Sequence, residues 1–172
     1  MDLSDPDFRA FHYDLAPAIP SGLLVVWAER ETVHAAWIGE GGAIAWNRQW
    51  PTLSSGPGFF HNPASSITIN GDRDALVVWY RFANGGNTFL AQRISLRDGA
   101  PVWAAPVMLG DAPTFGFVIT EKVPLSKAAD GSVEAGLRRG KIDDYYGDRS
   151  VRYRVKIGAD VQISRVVAPP GE

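Results

Sequence analysis

Apolar runs of strand length alternate with turn-forming residues along the whole chain. Residues 22–28 and 74–80 have the sequences GLLVVWA and DALVVWY, and both are rich in β-branched and aromatic side chains. Shorter runs predict strands at residues 32–38, 67–70, 88–94, 102–109, 115–120, 151–157 and 161–166. A helix over residues 126–137 would contain Gly131 and Gly136, which disfavour it. The pattern therefore predicts an all-β protein.

Turn-forming residues separate these predicted strands. Gly41-Gly42, Asp98-Gly99 and Asp130-Gly131 are pairs that favour tight turns, and residues 84–87 and 158–160 have similar composition. Short turns join neighbouring strands in antiparallel order, so the chain is expected to form antiparallel sheets.

Tryptophans mark an internal repeat. Trp79 follows Trp27 by 52 residues, and Trp103 follows Trp46 by 57 residues, with the difference falling in the loop at 84–87. We therefore divide a single domain, residues 1–172, into units at about 14–56 and 63–110 and a divergent third unit at 112–167 that lacks tryptophan. A period near fifty residues with several strands per unit predicts propeller-like blades, with a β-sandwich or barrel as the alternative.

The second unit resembles one blade of bacterial β-propeller repeats. Residues 75–81, 90–95 and 98–103 have the sequences ALVVWYR, LAQRIS and DGAPVW, and those repeats carry a vvW…R, aQRi and DG..lW pattern. The first unit is similar to it more loosely, because it has no Gln-Arg pair. A closed propeller needs about four to eight blades and this chain has room for three. The resemblance thus implies either a ring completed by several chains or a sandwich or barrel.

Composition removes several classes of partner. The net charge is −2, so nucleic acid is not expected as the main partner. There are no cysteines, which excludes disulfides and thiolate metal sites. No apolar run is long enough to span a membrane and the N-terminus has no secretory signal, so localisation stays open between cytoplasmic expression and a virion.

The sequence also predicts a protein that is not an enzyme and binds no cofactor or metal. It has no Gly-x-Ser-x-Gly nucleophile motif and no Walker phosphate loop. His12, His34 and His61 do not have metal-ligand spacing. The carboxylates at 29, 31 and 143–148 are interpreted as solvated loop charges.

Aromatic residues are the candidates for partner binding. Four of the six tryptophans occupy repeat-equivalent positions and are expected in the core. The remaining candidates for surface contact are Trp37, Trp50, Phe59, Phe60, Tyr145 and Tyr146.

The expected function is that of a non-catalytic binding or assembly module. We favour a structural component of a multi-subunit particle, such as a phage capsid, tail or fibre protein. A lectin-like carbohydrate-binding domain is the alternative, and a glycosidase-like fragment is a distant third. The expected partners are further copies of the chain or other subunits, with a glycan under the alternative. Unpaired strands at the sheet edges favour assembly, and residues 1–13 or 161–172 are expected in the contact.

Overall fold

The computed structural model is all-β, which confirms the predicted fold class. It describes residues 13–17, 22–29, 32–51, 65–70, 73–81, 87–112, 114–115, 122–139, 141–143, 147–148, 151–158 and 163–166. The helical element of these ranges is a 3₁₀ turn at Glu40–Gly42. No helix of the described residues is long and apolar enough to cross a membrane.

Three four-stranded antiparallel sheets follow one another along the chain. The first sheet contains β1 (Tyr13–Pro17), β2 (Leu23–Glu29), β3 (Thr32–Ile38) and β4 (Ile44–Pro51) in sequence order. The second contains β5 (Ser65–Asn70), β6 (Asp74–Arg81), β7 (Thr88–Ser95) and β8 (Val107–Asp111), also in sequence order. Each of these two sheets is therefore a simple meander.

The third sheet has the same shape with one insertion. It contains β10 (Leu125–Lys127), β11 (Val133–Arg139), β14 (Val151–Ile157) and β15 (Ile163–Val166) in that order. The inserted segment forms a small three-stranded sheet from β9 (Thr114–Phe115), β12 (Lys141–Asp143) and β13 (Gly147–Asp148), in which β9 and β12 are parallel. β15 lies at the edge of the third sheet.

The second sheet is the middle layer, because its strand β6 is buried on both faces. Successive side chains of a strand point to opposite faces. Ala75, Val77 and Trp79 belong to the core cluster shared with the first sheet. Leu76, Val78 and Tyr80 belong to the cluster shared with the third sheet. A continuous apolar run of this kind is what a strand covered on both faces requires.

The two core clusters account for most of the buried side chains. The cluster between the first and second sheets includes Leu24, Val26, Val33, Ala35, Trp46, Trp50, Ile67, Leu90 and Ile94. The cluster between the second and third includes Phe89, Trp103, Leu109, Val133, Ala135, Leu137, Val155 and Ile157. Each cluster is built almost entirely from two facing sheets, so the sheets form a stack in chain order.

Polar contacts fix the register of the first sheet on the second. The Trp46 indole Nε1 donates a hydrogen bond to the Leu96 carbonyl at 2.9 Å in a buried position. Gly99 comes so close that an added Cβ would lie 2.7 Å from the Trp46 ring, and its φ is +70°. A side chain at residue 99 would therefore clash as well as strain the backbone.

Residues of the propeller-like motif have structural roles in the second sheet. Gln92 is 1% exposed, and its Nε2 donates to the Trp103 carbonyl at 3.2 Å. The neighbouring Arg93 forms an ion pair with Asp74 at 2.8 Å across β6 and β7. Gln92 thus joins β7 to the bend that follows it, and Arg93 joins β7 to β6.

Aspartates close two of the predicted turns. The Asp98 carboxylate accepts from Ala100 N at 3.1 Å, and this bond together with the Ser95 hydroxyl lowers the pKa of Asp98. The Asp130 carboxylate accepts from Ser132 N at 3.1 Å and from Lys156 Nζ at 2.6 Å. Lys156 and Ser132 lower the pKa of Asp130, and Asp130 raises the pKa of Lys156.

Two predicted segments differ from the observed strands. A strand was predicted over 102–109, but residues 102–105 bend and β8 begins at Val107. Pro106 explains the later start, since proline supplies no backbone donor to a sheet. The segment 126–137, which the glycines disfavoured as a helix, is a hairpin made of β10, a turn and β11.

Replacing Trp79 with alanine should destabilise the protein strongly. Trp79 is 0% exposed between the first and second sheets, so Trp79→Ala is expected to lower the free energy of unfolding by about 3–5 kcal/mol. Met108, at 57% exposure, is the control, and Met108→Ala should change it by no more than about 0.5 kcal/mol. Urea denaturation measures both, and similar small losses would contradict the buried position of Trp79.

The Asp130–Lys156 pair predicts a specific pH dependence. Because the folded pKa of Asp130 is lowered, its stabilisation is complete above the unfolded pKa of about 3.9 and is lost as the pH falls further. Asp130→Asn should therefore lower the melting temperature at pH 7, and the difference should shrink below about pH 4. Lys156→Met should reproduce this profile. A wild-type advantage that persists undiminished at pH 2 would contradict the assignment.

Candidate interaction surface

The first sheet has an apolar face that points away from the second sheet. We call it the leading face and define it by Tyr13, Leu15, Leu23, Val25, Trp27, His34, Ala36 and Ile38, together with the β4 residues Ile44, Asn47 and Gln49. These three pair with Ile38, Ala36 and His34, and the two polar ones lie at the β4 edge. The register pairs Leu15 with Val25 and Val25 with Ala36, so these three side chains form one apolar row across β1 to β3, which ends at the polar Asn47 on β4. No residue of the leading face belongs to either core cluster. The face is therefore separate from the packing between sheets.

Large apolar side chains of the leading face are exposed. Tyr13 is 55% exposed and Leu15 46% exposed, and Ile44, which pairs with Ile38 on β4, is 43% exposed. The exposed large hydrophobic side chains of the described residues also include Val102, in the bend before β8, and Met108 on β8 of the second sheet. Apolar side chains concentrated on one sheet are characteristic of an interaction surface.

An aromatic stack forms one side of the leading face. The rings of Trp27 and His34, which are cross-strand partners, lie 5.0 Å apart with an angle of 8° between their planes. Tyr13 is the cross-strand partner of Trp27 on the other side. Trp27 itself is only 3% exposed, so Tyr13 and Leu15 provide more of the accessible apolar surface.

The β2 side chains of the leading face occupy positions that, in the second and third sheets, are buried against the preceding sheet. On β6 the side chains Ala75, Val77 and Trp79 face the preceding sheet. On β11 the side chains Val133, Ala135 and Leu137 do the same. The corresponding side chains of β2 are Leu23, Val25 and Trp27, because β1 pairs with Trp27 at Tyr13 as β5 pairs with Trp79 at Ser65. The leading face thus has the composition of a sheet-packing surface.

The opposite end of the stack is polar. We call the outer face of the third sheet the trailing face and define it by Ser126, Glu134, Gly136, Arg154, Lys156 and Ser164. Ser126, Glu134, Lys156 and Ser164 form one cross-strand row. Their counterparts facing the following sheet on β2 and β6 are Leu24, Val26, Leu76 and Val78, all buried. The two ends of the stack therefore differ in chemistry.

Asp14 joins the first sheet to the second and to Lys122, which lies just before the third sheet. Its carboxylate accepts from the backbone N–H of Ile67 on β5 at 3.0 Å. It also binds Lys122 Nζ at 2.8 Å, and Lys122 lies 5.9 Å from the centre of the Tyr13 ring. The first strand of each sheet converges here, since β5 contacts both β1 and β10.

The structure places two of the predicted contact residues. Trp50 is 9% exposed within the core cluster of the first and second sheets. Trp37 is partly buried against the same cluster, and its ring lies 6.4 Å from Trp46 at a tilt of 36°. Phe59, Phe60, Tyr145 and Tyr146 lie outside the described residues.

The described residues bring together no group of three or more His, Asp or Glu side chains that could hold a metal ion. Shifted pKa values occur at turns, as for Asp98 and Asp130, and in the core, where burial raises the pKa of Tyr80 against the opposing effect of its bond to Asn87. The partners that shift these pKa values are local: turn and hairpin residues for Asp98 and Asp130, and Asn87 for Tyr80.

Comparisons with protein-family models, with curated proteins and with solved structures found no match to this chain. The surface is therefore interpreted from its own geometry.

Sequence reasoning placed Tyr13 in a terminal segment, residues 1–13, that is expected in a contact, but it did not identify Leu15 or Ile44 as surface residues. The sequence did show that the first sheet has apolar side chains on both faces. β2 is apolar on both faces, and β1 contains Leu15 between Asp14 and Ala16. Only the sheet order shows which of these faces is covered. The missing information was the position of the first sheet at the end of the stack.

Removing the Asp14 carboxylate should weaken the junction of the sheets. In Asp14→Ala the Ile67 N–H loses its acceptor in a partly buried position, and we expect a loss of about 1–3 kcal/mol in the free energy of unfolding. Lys122→Met removes only the ion pair of a side chain that is 53% exposed, so it should cost no more than about 1 kcal/mol. Urea denaturation compares the two. Equal losses would show that the bond to Ile67 is not the stabilising one.

Proposed function

We propose that this chain is a non-catalytic β-repeat module that assembles through the leading face, as a structural component of a multi-subunit particle such as a phage capsid, tail or fibre protein. One observation carries the proposal. The leading face has the apolar composition of a sheet-packing surface, yet Tyr13 and Leu15 are 55% and 46% exposed. Burial of apolar surface is the main favourable term in most protein association.

The sheet order supports an interpretation of the three sheets as propeller-type blades. The first and second are four-stranded meanders, and the first strands β1 and β10 both contact β5. Three blades are fewer than the four to eight or so of a closed ring. The stack therefore has two end faces, and an assembly role gives the apolar one a partner.

The non-catalytic part of the proposal rests on the chemistry of the titratable groups. Perturbed pKa values cluster at active sites in enzymes. Asp98, Asp130 and Lys156 have shifted pKa values, but their partners are turn and hairpin residues. These shifts are explained by local structure.

Carbohydrate binding is the second candidate, and one observation favours it. The Tyr13 ring is 55% exposed beside the Trp27–His34 stack, and an exposed aromatic ring of this kind is able to stack on a sugar. Under this alternative the chain is a monomer that binds a glycan on an array, and Tyr13→Ala abolishes that binding.

Light scattering over a range of concentrations tests the assembly proposal. The wild-type chain should form an oligomer at high micromolar concentration, and Leu15→Lys should dissociate it by placing a charge in the apolar contact. Ser126→Lys adds the same charge to the trailing face and serves as the matched control, which should keep the wild-type mass. A wild-type chain that stays monomeric throughout would contradict the proposal.

A further inference from the structure

We infer that the partner of the leading face is the leading face of a second copy of this chain, in a twofold-symmetric dimer with the trailing faces at its two outer ends. This inference rests on the proposed function, because it assumes that the leading face mediates assembly. It adds the identity of the partner and the orientation of the two copies.

The chemistry of the two end faces excludes a dimer in which the leading face of one copy packs on the trailing face of the other. Ring closure would place the leading face of each copy against the trailing face of the other. Glu134, Lys156 and Arg154 would then lose water against Leu15, Val25 and Ile38. Burying charged groups against apolar side chains carries a large desolvation cost. The trailing face is better suited to solvent, as the polar outer face of a terminal repeat is in other repeat arrays.

Pairing of two leading faces avoids this cost. Tyr13, Leu15 and Ile44 are the exposed large apolar side chains of this face, and they would lie against the leading face of the other copy, so apolar surface covers apolar surface. His34, and Gln49 as its partner on β4, lie toward one side of the face, where polar groups are expected in an interface rim. A contact between identical patches is also closed, because it leaves no second leading face to add further copies.

The area of the leading face predicts a weak dimer. Four strands of five to eight residues cover a plane of about 20 by 20 Å. Trp27 and Ala36 are already buried, at 3% and 4% exposure, so two such faces bury less than about 1,000 Å² in total, which is the size of a weak, reversible interface. We therefore expect dissociation in the micromolar range.

A complementation experiment distinguishes the two orientations. The first variant is Leu15→Lys, which alters the leading face, and the second is the double variant Ser126→Lys with Ser164→Lys, which alters both ends of the polar row on the trailing face. Sedimentation velocity measures the mass of each variant alone and of an equimolar mixture. Circular dichroism verifies folding, and Ile44→Lys replaces Leu15→Lys if that variant does not fold.

In the proposed dimer, the trailing-face variant dimerises with the wild-type dissociation constant, whereas Leu15→Lys weakens dimerisation at least about tenfold. Mixing the two variants then restores no dimer beyond what the trailing-face variant forms alone. If both variants are monomeric and their mixture forms dimers, the contact joins leading to trailing faces and the inference is overturned, while the assembly function stands. Oligomers that keep growing beyond a dimer, or a wild-type dimer that Leu15→Lys leaves intact, also overturn the inference. A monomeric wild-type chain overturns the proposed function along with it.

Discussion

The architecture depends on the burial of β6 on both faces. Ala75, Val77 and Trp79 pack on the first sheet, and Leu76, Val78 and Tyr80 pack on the third. A strand with six consecutive buried side chains is stable only as part of a middle layer, since either face would otherwise expose apolar surface to water. The order of the three sheets follows from this requirement, and so does the presence of two end faces with different environments.

The difference between those end faces connects the fold to the proposed function. In the second strand of each sheet (β2, β6 and β11), alternate side chains point toward the preceding sheet and toward the following one. Glu134 makes the trailing face of β11 polar, whereas Val25 and Trp27 make the leading face of β2 apolar. Under the proposed function, the polar end terminates the stack and the apolar end binds the partner. Asp14 contributes at the apolar end by holding β1 against β5 through the Ile67 N–H.

Local sequence was sufficient for several strands and several turns, but not for β1, β4 or β10. The predicted first and last residues of β3 and β14 are the observed ones, because in both cases a run of apolar and β-branched residues ends at a turn-forming residue. Asp98 and Asp130 were predicted in turns, where side-chain acceptors for nearby N–H groups stabilise a tight reversal. The start of β8 was missed because the effect of Pro106 on pairing was not weighed. β1 was missed because five residues ending in proline give little periodicity.

The sequence by itself determined the all-β class, the strand-turn order and the matching positions of Trp27 and Trp79, since these depend on residue type and on the two-residue period of a strand. Tertiary structure alone decided which faces are covered. Trp50 and Leu15 are both apolar residues in strands of the first sheet, yet Trp50 is 9% exposed and Leu15 46% exposed. The physical reason is that burial depends on which sheet lies opposite a side chain, and that neighbour is far away in sequence. The candidate interaction surface therefore emerged only from the order in which the sheets stack.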